Sequence, residues 1–160
     1  MEGRTLEDLF AGRGMDIPRM LAHLKKTADG LELPFGDRPH TYNSRRAQEL
    51  GKWAESEGRG DLFHQAAFAA YFADGRNIAQ LDVLADIATA AGLPGQEAAG
   101  IIESGRFHQA VDADWQRSGQ LGIQVVPTFH VDGHRMEGAK PYAALREFVT
   151  APKTKNRRIF

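Results

Sequence analysis

The chain has 160 residues, no cysteine and a formal net charge of −1 at pH 7, a length that can bury a sizeable core. The charge gives no electrostatic reason to expect binding to nucleic acid or to an anionic membrane, and the lack of cysteine excludes disulfide bonds and thiolate metal sites. Because no apolar run approaches the length of a membrane span and the first residues lack a signal-peptide profile, we expect a cytoplasmic protein.

The sequence pattern predicts helices over most of the chain. Asp16 is expected to cap a helix that ends at Gly30, and Asn43 is expected to cap another that runs to about Gly58. Both assignments follow from a short polar residue that precedes apolar residues at helical spacing. A helix-breaking glycine ends each of the two patterns.

The helix that follows is the most apolar. Asp61 is expected to cap it, and it continues through Phe72. Apolar residues such as Leu62 and Phe63 surround most of its circumference, which is typical of a helix at the centre of a bundle. Three further helices are predicted over about 81–91, 96–104 and 107–121.

A proline stands immediately before a short β-branched and aromatic run at residues 128–131. Proline cannot donate to a sheet ladder, so Pro127 is tolerated at the start of a strand, and an X-Pro bond is one of the few in which the cis form costs little. A cis Val126–Pro127 bond would turn the backbone sharply at the mouth of the strand. Asp132–Gly133 then signals a two-residue hairpin, and a last helix is predicted over about 141–149.

This order of elements resembles the C-terminal half of a thioredoxin fold. The segments that start at Asn43, Phe68, Leu84 and Glu103 are similar to the helical insertion of DsbA-like proteins. Together these likenesses cover roughly residues 5 to 150, and their combination most resembles the FrnE-type dithiol oxidoreductases. A related branch, the 2-hydroxychromene-2-carboxylate isomerases and kappa-class glutathione transferases, gives the alternative family.

The resemblance implies a mainly α, α+β fold. A DsbA-like helical domain is expected over residues 5–121, and the C-terminal part of a thioredoxin-like core, a hairpin plus a helix, over 122–150. A basic tail, which we expect to be solvated, follows over 151–160. The N-terminal strand-helix-strand unit, which carries the reactive motif in the family, is expected to be missing.

The resemblance also implies a function that this chain cannot carry out by the usual chemistry. Relatives oxidise, reduce or isomerise protein disulfides, but exchange needs a thiolate and the chain has no cysteine. We therefore predict a redox-inactive chain with no catalytic residue, cofactor or metal. Val126, Pro127 and Thr128 form the candidate binding surface for an extended peptide. The alternatives are a non-redox module that binds a peptide or a subunit, and a relative of the isomerase and transferase branch.

The strand at 128–131 would pair, in the family fold, with strands of the missing unit. Its edge is then bare, and an edge with unpaired N–H and C=O groups invites another chain. We therefore expect a homodimer or a higher oligomer.

Other candidate residues favour a structural reading. His130 and His134 have the i, i+4 spacing of a helical metal pair, but the Asp-Gly turn lies between them. Aromatic residues at helical spacing could line a pocket but more often belong to a core; they are Trp53, Phe63, Phe68, Tyr71, Phe72 and Trp115.

Overall fold

The computed structural model describes residues 3–151 and is mainly helical, which confirms the α+β class predicted from the sequence. Within these residues the helices are α1 (Leu6–Leu9), α2 (Ile17–Gly30), α3 (Arg45–Ser56), α4 (Gly60–Phe68), α5 (Leu81–Ala90), α6 (Ala98–Glu103), α7 (His108–Gln120) and α8 (Tyr142–Thr150). The strands are β1 (Arg4–Thr5), β2 (His40–Thr41), β3 (Thr128–Val131) and β4 (His134–Glu137). The predicted basic tail, apart from Ala151, lies outside the described residues.

The described chain forms two compact units, one that ends at Ala113 and one that begins at Asp114. Helix α7 contributes to both units. The domain boundary expected after residue 121 stays a prediction. None of the helices within 3–151 combines the length and the hydropathy that a bilayer crossing requires.

Short polar side chains lie at the start of α2 and of α3. Asp16 caps α2 as predicted, because its Oδ1 accepts a hydrogen bond from the backbone N–H of Arg19 at 2.9 Å. The prediction that Asn43 caps α3 is wrong by one residue, since Ser44 occupies the N-cap position. Asn43 instead accepts a hydrogen bond from the backbone N–H of Arg45 at 2.8 Å, which turns the chain into the helix.

Helix α4 differs from its prediction at its start and in its burial. Arg59, not Asp61, is the N-cap residue, and Asp61 lies in the first turn, where a carboxylate complements the helix dipole. The central position predicted for this helix is also wrong in part: Phe63 is 1% exposed, but Leu62 is 45% and Phe68 is 63% exposed. After Phe68 the helix widens into a π-helical turn over Ala69–Ala73.

The core of the first unit lies where α3, α4, α5 and α6 pack together. Its largest members are fully enclosed apolar side chains on three of these helices, among them Leu50, Trp53, Phe63, Leu84 and Ile87. Strands β1 and β2 add a two-residue antiparallel pair, in which Arg4 lies opposite Thr41, that the sequence did not predict.

The second unit contains the predicted hairpin. Strands β3 and β4 pair antiparallel, with Thr128 opposite Glu137 and Val131 opposite His134. Asp132 and Gly133 connect them, with φ of 49° and 81°, the positive values that a two-residue hairpin turn of this kind needs. Of the described residues 114–151, none is buried, so this unit has no closed core of its own.

Candidate functional site

The three residues predicted to bind a peptide lie where the loop enters β3, and two of them are exposed. The Val126–Pro127 peptide bond is cis. The Val126 side chain is 87% exposed and Pro127 is exposed as well, whereas Thr128 is half-buried at the start of the strand. The loop therefore presents an apolar side chain and backbone groups to the surroundings.

Two hydrogen bonds hold this loop in place. The Thr128 hydroxyl donates to the carbonyl of Val125 at 2.6 Å, which closes the loop on itself. The carbonyl of Pro127 accepts from the backbone N–H of Gly138 at 2.8 Å, so the hairpin ladder extends one residue beyond β3. Gly138 has a φ of 81°, a backbone conformation that favours glycine at the end of β4.

This register decides which backbone groups remain available. In an antiparallel pair, residues that exchange hydrogen bonds alternate with residues that do not. Since Pro127 and Gly138 form a bonded pair, Phe129 with Met136 and Val131 with His134 are the next bonded pairs. The N–H and C=O groups of Thr128 and His130 therefore point away from β4, along the outer edge of β3.

Arg135 fixes the chain that enters the loop. Its Nη1 donates to the carbonyl of Leu121 at 3.0 Å and also to the carbonyl of Gly122. Gly122 has a φ of 64°, and a Cβ there would lie 2.6 Å from Arg135 Nη1. The end of α7, the loop and β4 are thus joined by one side chain.

The two histidines of the hairpin do not converge. His130 lies opposite Arg135 and His134 opposite Val131, so the two side chains occupy opposite faces of the two-stranded sheet. Over residues 3–151 there is no group of three metal-ligating side chains. The hairpin therefore offers binding surface rather than a chelating cluster.

The six aromatic residues considered as a pocket lie in the core, along two cavities or on the surface. Trp53 and Phe63 belong to the core of the first unit, and Trp115 is 52% exposed on α7. Phe68 and Phe72 line two open apolar cavities of about 400 and 350 Å³, and Phe63 and Tyr71 also line the smaller one. The core interpretation holds for Trp53 and Phe63, and four of the six residues line a cavity.

A charged cluster was not predicted from the sequence. The Arg45 guanidinium bonds Glu49 Oε1 and Asp112 Oδ1, each at 2.6 Å, and donates to the carbonyl of His108 at 3.0 Å. His108 Nε2 lies 3.3 Å from Glu49 Oε2, and Glu49 is 3% exposed. The only local signal is the i, i+4 spacing of Arg45 and Glu49, which places both on one face of α3.

This cluster shifts two pKa values. The hydrogen bond from Arg45 holds the pKa of Asp112 below its usual value. Asp112, and to a lesser degree Glu49, raises the pKa of Arg45. Both carboxylates are hydrogen-bonded to the Arg45 guanidinium. Since Asp112 lies on α7 and Arg45 on α3, the cluster links the two helices and has a structural role.

Comparisons with known proteins agree with this architecture. The family model of the DSBA-like thioredoxin domain matches residues 12–150. A crystal structure from Streptomyces coelicolor, described as a probable DsbA oxidoreductase, superposes with a TM-score of 0.81 at 25% sequence identity. The match covers 93% of this chain and 67% of that chain. No curated protein matches significantly. The DsbA-like resemblance of the sequence is confirmed, and the chain belongs to the DSBA-like thioredoxin domain family.

Proposed function

We propose that this polypeptide binds an extended peptide at Val126, Pro127 and Thr128 and does not itself exchange disulfides. The observation that carries the proposal is the exposed loop, where an 87% exposed Val126 stands next to the outward-facing backbone groups of Thr128. An extended peptide could add to this edge by backbone hydrogen bonds, with Val126 as an apolar contact.

Family membership supports the proposal that this chain binds a peptide without exchanging disulfides. The Streptomyces coelicolor relative is described as an oxidoreductase of the DsbA type, which relates this chain to thiol–disulfide chemistry. Exchange proceeds by attack of a thiolate on a disulfide sulfur. Since these 160 residues contain no cysteine, they supply no thiolate, and the contribution that we propose for them is to hold the peptide.

We further propose that the chain belongs to the FrnE-type branch. Its support is the set of helical segments from Phe68 to Ile78 and from Glu103 to Arg106, which resemble that branch more than the isomerase and transferase branch. This assignment concerns the ancestry of the helical unit. The binding proposal does not depend on it.

Peptide binding is tested by fluorescence anisotropy with a labelled, cysteine-free, unstructured peptide. The Val126→Asp substitution places a charge at an exposed position, so the fold should persist while the apolar contact is lost. We expect affinity to fall about tenfold, equivalent to about 1.4 kcal/mol. The control is Val149→Asp, at a position in α8 that is 58% exposed, which should leave affinity unchanged. Equal affinity of the two variants would contradict docking at the loop.

The absence of redox activity is tested separately. The protein is added to insulin and dithiothreitol, and precipitation of the reduced insulin chains is followed by turbidity. We expect the rate to match that of dithiothreitol alone, because the added chain has no sulfur nucleophile. A catalytic acceleration proportional to protein concentration would refute the proposal of redox inactivity while leaving the peptide-binding result intact.

A further inference from the structure

The guanidinium of Arg38 is held against two aromatic rings of the first unit. Its central carbon lies 4.7 Å from the ring centre of Tyr71 and 4.9 Å from that of Phe72, both within the range of a cation–π contact. No described residue accepts a hydrogen bond from this group. Its Nε is enclosed, whereas Nη1 and Nη2 reach the surface, so the outer nitrogens are the donors that a ligand can use.

A π-helical turn brings both rings to Arg38. The turn spans Ala69–Ala73 and is closed by an i→i+5 hydrogen bond of 3.1 Å from the backbone N–H of Asp74. Successive side chains of an α-helix point about 100° apart, yet Tyr71 and Phe72 are neighbours in the chain and contact one guanidinium. Single π-helical turns inside helices occur frequently at functional sites, and this one makes the surroundings of Arg38 a candidate.

The segment that carries Arg38 is fixed on the same turn. The backbone N–H of Gly36 donates to the carbonyl of Phe72 at 2.9 Å. A Cβ at Gly36 would lie 2.0 Å from the carbonyl oxygen of Ala73, so the two segments approach this closely only because residue 36 is glycine. The guanidinium is therefore in place before a ligand arrives, which lowers the cost of ordering it on binding.

A small cavity lies between α2 and residues 35–38. Its volume is about 200 Å³, which is below the roughly 300–1,000 Å³ of pockets that hold drug-sized molecules. Lys25 and Arg38 line it, together with one carboxylate, that of Asp37. The Lys25 ammonium is only weakly paired, because its Nζ lies 3.8 Å from Asp29 Oδ1 and both side chains are 61% exposed. The lining therefore has an excess of positive charge.

We propose that this cavity binds a phosphate group, with Nη1 and Nη2 of Arg38 and Nζ of Lys25 as its donors. A guanidinium can donate to two oxygens of one phosphate side by side, and an ammonium adds a point charge. A phosphate monoester carries about 1.5 to 2 negative charges at pH 7, so it complements two cations better than a carboxylate does. The small volume fits a single charged group. The site lies in the first unit and goes beyond peptide docking, which uses a loop of the second.

Inorganic phosphate is the probe, and it is titrated into isotope-labelled protein at neutral pH and constant ionic strength. The N–H resonance of Arg38 Nε reports binding by NMR, because this enclosed group adjoins the two donors; it is identified by its loss in Arg38→Lys. We expect a saturating shift, and an affinity for acetate at least about tenfold weaker than that for phosphate. A shift that does not saturate, or equal affinity for acetate, overturns the phosphate assignment.

The contribution of the two-nitrogen donor is tested with Arg38→Lys, which keeps the positive charge. The rise in melting temperature that phosphate causes gives the affinity, because a ligand that binds the folded state stabilises it. We expect affinity to fall about tenfold. The matched control is Arg106→Lys, since Arg106 also stacks on a ring, that of Phe107 at 5.1 Å, and does not line this cavity. Equal losses in the two variants overturn the role of Arg38.

A second pair of variants leaves the aromatic contacts of Arg38 intact. Lys25→Gln changes an exposed side chain, so the fold should persist while phosphate affinity falls about threefold. Lys26→Gln is the control, because it removes the same charge from the next residue of α2, which does not line the cavity. The Arg38 resonance measures both affinities. Equal losses in the two lysine variants would reveal a diffuse effect of net charge and overturn the site.

Discussion

Leu84 offers a measurement of how much the core of the first unit contributes to stability. Its side chain, on α5, is 0% exposed and packs among α3, α4 and α6. Leu84→Ala removes about three methylene equivalents, worth about 2.4 kcal/mol at about 0.8 kcal/mol each. The cavity left behind adds to this loss, so we expect unfolding to become easier by about 3–4 kcal/mol.

Urea unfolding, followed by circular dichroism and by the fluorescence of the two tryptophans, of which Trp53 is buried, measures the change. At a slope of about 2 kcal/mol per molar urea, a loss of 3 kcal/mol lowers the midpoint by about 1.5 M. The control is Leu62→Ala on α4, where the side chain is 45% exposed, and the expected loss is below about 1 kcal/mol. If the two variants lose the same stability, Leu84 is not enclosed as the structure has it.

Two further substitutions test the close approach of Gly36 to Ala73 and the pairing of Asp112 with Arg45. Gly36→Ala should destabilise the fold by about 1–3 kcal/mol in the same urea assay, because its Cβ would lie 2.0 Å from the carbonyl oxygen of Ala73. Gly30→Ala, where nothing lies within 4 Å of the added Cβ, should be neutral or slightly stabilising. The pKa of Asp112 is lowered by Arg45 from 3.8, so its contribution is present above that value and is lost as the pH falls through the folded pKa. The difference in melting temperature between the unmodified protein and Asp112→Asn should therefore shrink below about pH 4, and a difference that is constant with pH would contradict the pairing.

The sequence predicted a helix cap and a hairpin turn correctly, and both depend on interactions between residues close together in the chain. Asp16 caps α2, and Asp132–Gly133 closes the hairpin, because each signal acts through backbone groups within three residues. The same kind of signal missed by one or two residues at Asn43 and Asp61. At α3 the neighbouring short polar residues Asn43 and Ser44 compete for the cap, whereas at α4 the N-cap residue is Arg59, which makes no side-chain cap hydrogen bond.

Burial and long-range pairing were not predictable from the same evidence. The apolar pattern of α4 indicated a central helix, but an apolar side chain does not reveal which partner covers it, and Phe68 is exposed. The contact of His108 with Glu49 joins α7 to α3, and no local spacing encodes it. The candidate site was different: Val126, Pro127 and Thr128 were proposed from a resemblance, and the register of the hairpin then identified the free backbone groups.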